Sequence, residues 1–122
     1  MKFKIQLLEP AEEFLLKLEN KLKAKAFRTI ELLGEFGPEL REPFSKKIQG
    51  FEGLFELRIK QSSNICRFFY FFVKDRVDIF TSGYIKKEQK TSKDQLIKAF
   101  NMMKGYKGYE LSNLKGKALI LI

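Results

Sequence analysis

The sequence contains no histidine and only a single cysteine among its 122 residues. Without histidine, any acid–base chemistry falls to lysine, tyrosine, arginine or the carboxylates. A ribonuclease built on a histidine pair is excluded, as is a metal held by imidazole. One cysteine and no histidine leave no zinc constellation. No glycine-rich loop of the P-loop pattern occurs. Cys66 lies inside the apolar run 65–73 and reads as a small buried hydrophobe in a reducing compartment. No basic start followed by an apolar block of about 7–15 residues marks secretion. The longest apolar run falls short of the roughly 20 residues of a membrane-spanning helix. These absences predict a cytoplasmic protein with no membrane contact. The chain has no internal repeats and no low-complexity segment.

What is present is apolar and basic. A hydrophobic fraction of 44% with 13 phenylalanines belongs to a folded chain. Its length suits one domain with one core. The formal net charge is +9, and it is unevenly placed. Residues 1–43 carry eight Lys and Arg against eight Asp and Glu, whereas residues 44–122 carry sixteen against seven. A basic excess confined to one half suits a nucleic acid or an acidic protein partner, although lysines also decorate ordinary solvated surfaces.

Residues 2–8 alternate and then turn apolar, as a first strand does. Glu9 and Pro10 stop it, and proline suits the start of a helix. Phe14, Leu15, Leu18, Leu22, Ala26, Ile30 and Leu33 follow helical spacing up to Gly34 and Gly37. One unbroken helix over 10–36 would be about 40 Å long, too long for a domain with a radius of gyration of about 14 Å. A break near Glu19–Lys21, with Asn20 as N-cap, predicts a helical hairpin. Strands are predicted at 44–49, 54–60, 65–73 and over VDIFTSGYI (77–85). The polar breaks at 62–64 and 74–76 make these an antiparallel meander. Thr91 or Ser92 can cap a last helix that turns Leu96, Ile97, Phe100 and Met103 to the sheet. The order β-α-α-β-β-β-α predicts an α+β fold: a small twisted antiparallel sheet with an N-terminal α-hairpin on one face and a C-terminal helix. The other face is free to be concave and polar. The domain is expected over 1–104. The tail 105–122, with three glycines and the closing run ALILI, can add an edge strand, contact a partner or stay loose.

Two arginines interrupt the apolar strands. On strand 54–60, Glu56, Arg58 and Lys60 share the face opposite Phe55, Leu57 and Ile59. If Ser62–Ser63 is a two-residue turn, Arg58 falls directly opposite Arg67. A turn at Ser63–Asn64 leaves them diagonal on one face, and a three-residue loop separates them. Like charges set opposite each other cost stability and need compensation. Glu56 or Asp78 could provide it, and so could a bound phosphate, which guanidinium grips bidentately. Beyond these strands, Tyr84 stands beside Lys86, Lys87 and Lys90, an aromatic among cations that suits base stacking with phosphate contacts. Lys46, Lys47 and Lys60 are further basic candidates.

The runs LFELRI, RFFYFF and GYIKKEQKTSKDQLIKA, spaced as they are after a β-α-α start, resemble the RelE/ParE superfamily of toxins. The resemblance is to the HigB-like, phage-derived branch of type II toxin–antitoxin systems. It covers roughly residues 3–104 and is strongest over 47–99. It implies a cytoplasmic, metal-independent and cofactor-free endoribonuclease that cuts mRNA, usually on the ribosome. A cognate antitoxin, usually a helix-turn-helix protein encoded next door, would neutralise it. Matched by position, Arg58 and Arg67 would stabilise the phosphorane-like transition state. Lys47, Lys86 and Lys87 would serve as base or phosphate clamps, and Lys60 and Lys90 as further phosphate contacts. Tyr84 stands where this group usually carries phenylalanine, so stacking a base and transferring a proton are both open to it. Ser92 replaces a common proline, which touches only the helix start. Two other readings stay open: a ParE-like inhibitor of DNA gyrase without ribonuclease activity, and a non-catalytic protein held by an acidic antitoxin.

Overall fold

Glu9 and Pro10 convert the first strand, β1 (Lys4–Leu8), directly into helix α1 (Glu9–Lys17). Two residues later α2 (Asn20–Phe36) begins. In this computed structural model, which describes residues 3–73, 77–85, 93–109 and 118–121, the helical break falls where length and capping predict it. The cap is Glu19, however, not Asn20: its carboxylate accepts from the Leu22 N–H at 2.7 Å. A negative charge there also meets the positive end of the helix dipole. The second helix ends at Gly37, whose φ of 51° places it in the left-handed region under the ring of Phe3.

Strands β2 (Ser45–Lys47), β3 (Phe55–Gln61), β4 (Asn64–Val73) and β5 (Val77–Ile85) form the expected meander. The second strand is shorter than its predicted 44–49. The sheet order is β2-β3-β4-β5-β1-β6, where β6 is Ala118–Leu121. Two features depart from a plain antiparallel sheet. β1 lies parallel to β5, and β6 pairs antiparallel with β1. Of the three roles open to the tail, Ala118–Leu121 take the edge strand.

Helices α1 and α2 cover one face. Leu15, Leu22, Ala26, Ile30 and Leu33 pack there on Leu57, Ile59, Phe68, Tyr70 and Phe80. Burying each leucine, isoleucine or phenylalanine side chain contributes about 1.5–3 kcal/mol. Tyr70 reaches over β3 and its hydroxyl shares a 2.5 Å hydrogen bond with Ser45 Oγ, tying the short edge strand to the middle of the sheet.

The second face is divided rather than uniformly polar. Helix α3 (Lys93–Tyr109) lies over one half, where Ala99, Met103 and Tyr106 pack with Ile48, Leu54, Phe69 and Phe71. The buried spacing 99, 103, 106 leaves Ile97 40% exposed, so it does not face the sheet as expected. The helix also runs past Gly105 to Tyr109. Tyr106 meets Phe71 edge-on at 5.3 Å, and this packing outweighs the poor helix propensity of glycine. Among the described residues, no helix is long and apolar enough to cross a membrane.

Candidate site on the sheet face

The half of the second face that α3 leaves open carries the charged side chains. The β3–β4 hairpin closes on Ser62–Ser63 with Gln61 opposite Asn64, and Ser62 takes a positive φ of 56°. That register sets Arg58 directly opposite Arg67, and Arg67 in turn lies opposite Tyr84 of β5. Arg58, Arg67 and Tyr84 thus form one transverse row over three strands. The next row holds Lys46, Glu56, Phe69 and Ser82. Tyr84 stacks on Phe69 with ring centroids 5.6 Å apart at 22°, which places it at the border between the charged half and the apolar half.

The two arginines are in different states. Arg67 is 2% exposed and its Nη1 donates to the Glu56 carboxylate, itself 2% exposed. Glu56 is the diagonal cross-strand neighbour of Arg67, within reach of a long side chain. The structural pairing thus uses Glu56. Asp78 takes its register opposite Phe72, further along β4. Burying two charges is tolerable because each meets the other. Arg67 Nε is buried with no acceptor among the described residues. Arg58 is only partly buried, and no carboxylate among the described residues pairs with it. It lines a small cleft with Glu42, Phe44, Lys46 and Glu56. A partly exposed guanidinium held on a strand, with no acidic partner among the described residues, can take a phosphate without reorganisation.

The remaining candidates divide by strand parity. Lys60 is exposed and shares the face of Arg58. Lys47 pairs in register with Phe55, whose ring faces the α1–α2 side, so the sheet separates it from the arginine row. Lys46, opposite Glu56, occupies the arginine face instead. A three-residue strand of Ser, Lys and Lys carries no apolar alternation from which this phase could be read. Lys86, Lys87 and Lys90 lie outside the described residues. Among the described residues, no group of three or more carboxylate, thiol or imidazole side chains could hold a metal ion. Cys66, on the opposite face from Arg67, is fully buried, and burial pushes its thiol up to about 12.

Comparison with known proteins agrees with this architecture. A chain of the crystal structure of the archaeal RelE–RelB complex from Pyrococcus horikoshii OT3 superposes with a TM-score of 0.52. The match covers 72% of this chain and 99% of that one at 18% identity, so the likeness is one of fold. No curated protein sequence matches the chain. The family model described as "Phage derived protein Gp49-like" matches residues 13–104, the stretch from α1 into α3 that contains every candidate above. The RelE-like fold and the phage-derived family both accord with the resemblance read in the sequence. The chain belongs to the Gp49-like family of phage-derived proteins.

Proposed function

We propose that this protein is the toxin of a toxin–antitoxin pair and that it inhibits translation by cutting mRNA, on the ribosome and without a metal. The observation that carries the reading is the row Arg58–Arg67–Tyr84 on the open half of the sheet, flanked by Lys46 and Lys60. In a chain without histidine, an RNA 2′-hydroxyl attacking its neighbouring phosphate needs cations to stabilise the charge gathered on phosphorus. Arg58, which has no acidic partner among the described residues, can meet that charge. Arg67, whose charge the buried Glu56 carboxylate offsets, fixes the strand register behind it. Lys87 and its neighbours Lys86 and Lys90, which follow β5 in sequence, are the proposed base and phosphate contacts. Tyr84, stacked on Phe69, is the proposed aromatic contact to a nucleotide. Lys46 takes the place first expected of Lys47.

The functional unit is proposed over 1–104, which contains all of these residues. The partners proposed are mRNA, the ribosome and an antitoxin encoded nearby. The antitoxin is supported by the fold neighbour, which was solved as a RelE–RelB complex. Such an activity belongs in the cytoplasm.

A second reading draws on the Arg67–Glu56 pair. If both arginines serve structure alone, the same fold suits a ParE-like inhibitor of DNA gyrase. The deciding experiment adds purified protein to a cell-free translation reaction and maps mRNA ends, with a supercoiling assay in parallel. Cut mRNA, lost in Arg58→Ala, supports the ribonuclease. Intact mRNA from active protein together with blocked supercoiling selects the gyrase reading.

A further inference from the structure

Strand β5 contains a phase change that bears on Tyr84. Tyr70 of β4 pairs with Phe80, whereas Phe69 pairs with Ser82, so Thr81 is an extra residue in β5. Such a bulge bends the strand and re-aims the side chains beyond it. By simple alternation from Phe80, which packs on the α1–α2 side, Tyr84 would point to the helices. The bulge reverses this, so that Gly83 takes the helical side and Ser82 and Tyr84 the arginine side.

Two further observations hold that phase in place. Thr81 is fully buried and its Oγ1 donates to the Phe69 carbonyl at 3.2 Å. That bond is made by the bulged residue itself, onto the residue whose ring stacks with Tyr84. At position 83 the α1 side chain Phe14 lies directly over the backbone. A Cβ added there would stand 2.5 Å from Phe14 Cδ2 and 2.9 Å from Phe68 Cδ1. Phe14 and Phe68 meet edge-on at 5.4 Å, so Gly83 is the floor of an aromatic contact between helix and sheet. A side chain at 83 would push β5 away from α1 and rotate its neighbour Tyr84.

We infer that Thr81 and Gly83 are positioning residues for Tyr84: the bulge assigns Tyr84 to the arginine row, and the Phe14 contact over Gly83 locks that assignment. The functional part of this inference rests on the ribonuclease reading; the placement of Tyr84 does not. Neither Thr81 nor Gly83 would touch substrate.

The test uses the full chain labelled with 3-fluorotyrosine. Its four tyrosines give separate fluorine resonances, and Tyr84→Phe assigns one of them. Gly83→Ala should move the Tyr84 resonance and lower kcat for mRNA cleavage on the order of 10–100-fold with KM little changed, as misplacement of a site group does. Phe14→Leu in the Gly83→Ala background removes the clashing ring edge and should restore both. Thr81→Val, which keeps shape and loses the hydrogen bond, should move the same resonance without unfolding the chain, and it decides the matter if Gly83→Ala fails to fold. A folded Gly83→Ala or Thr81→Val protein with the Tyr84 resonance unmoved overturns the inference. If the wild-type protein cuts no RNA, the ribonuclease reading fails and the fluorine shifts with their rescue by Phe14→Leu still decide the placement. A moved resonance with unchanged cleavage keeps the placement and overturns the functional part.

Discussion

Arg58 and Arg67 face each other across β3 and β4, yet only Arg67 has an acidic partner among the described residues. Their substitution should therefore separate stability from activity. Arg67→Ala takes the Arg67 cation from the buried Glu56, a loss of about 3–5 kcal/mol, which thermal unfolding should register as a fall in Tm of roughly 10 °C or more. Glu56→Met combined with Arg67→Met removes both charges and should regain most of that stability but no cleavage. Arg58→Ala should leave Tm within about 2 °C, because its head group has no acidic partner among the described residues, and lower cleavage on the order of 10²–10³-fold, as loss of a transition-state donor does. Equal destabilisation by the two alanines would contradict the division drawn here.

Cys66 offers a probe of the core. Its thiol sits at 0% exposure among the α1–α2 contacts, and burial raises its pKa from 9.0 to about 12. A raised folded-state value means that the contribution is fully present below pH 9 and is lost as pH rises from 9 towards 12, where only the unfolded chain ionises. Wild type should thus lose stability relative to Cys66→Ala over that window, by at most about 1.4 kcal/mol per pH unit. Urea titrations of the two proteins at pH 8 and pH 10.5 measure the difference. A neutral-pH thiol reagent should label native protein only as fast as it opens. Rapid labelling of native protein would show that the site is not closed.

The tail supplies β6 to an edge that would otherwise be β1. A chain ending at Tyr109 would expose the backbone of β1, whose sequence KIQLL is apolar enough to pair with another copy. Size-exclusion chromatography with light scattering should show self-association of the shortened chain at concentrations where the full chain does not. An equally monodisperse shortened chain with unchanged Tm would show that β6 protects nothing.

How much of this could be read from residues alone depended on whether a local rule had a single answer. The Arg58–Arg67 register was one of three that the break at 62–64 left open, and strand parity put the two arginines on one face in both two-residue turns. The helical break likewise followed from length, although its cap is Glu19 and not Asn20. Three features had no such local signature. Thr81 is a bulge inside a run, VDIFTSGYI, that reads as continuous strand, so the side taken by Tyr84 could not be counted out. Lys46 and Lys47 are equivalent in sequence, and only pairing with Glu56 and Phe55 distinguishes them. The half-face under α3 has no local signature, because the spacing 96, 97, 100 and 103 suggests a different buried side from the observed 99, 103 and 106. Its buried side depends on Phe69 and Phe71, far away in the chain.

That distinction between neighbouring lysines can itself be tested through salt. If RNA lies across the open half of the second face, Lys46 and Lys60 neutralise phosphates there together with Arg58, whereas Lys47 is on the other side of the sheet. Each phosphate contact to a single strand contributes a slope of about −0.7 to a plot of log K against log salt. Lys46→Ala and Lys60→Ala should each make that slope shallower by about 0.7, and together by about 1.4. Lys47→Ala should leave it unchanged. All three remove one exposed charge from the same chain, so a non-specific effect of net charge would lower affinity alike in all three. Fluorescence anisotropy of a labelled single-stranded RNA over a range of salt concentrations provides the comparison. A slope that falls for Lys47→Ala but not for Lys46→Ala would move the RNA to the helical side of β2 and remove the arginine row from its path.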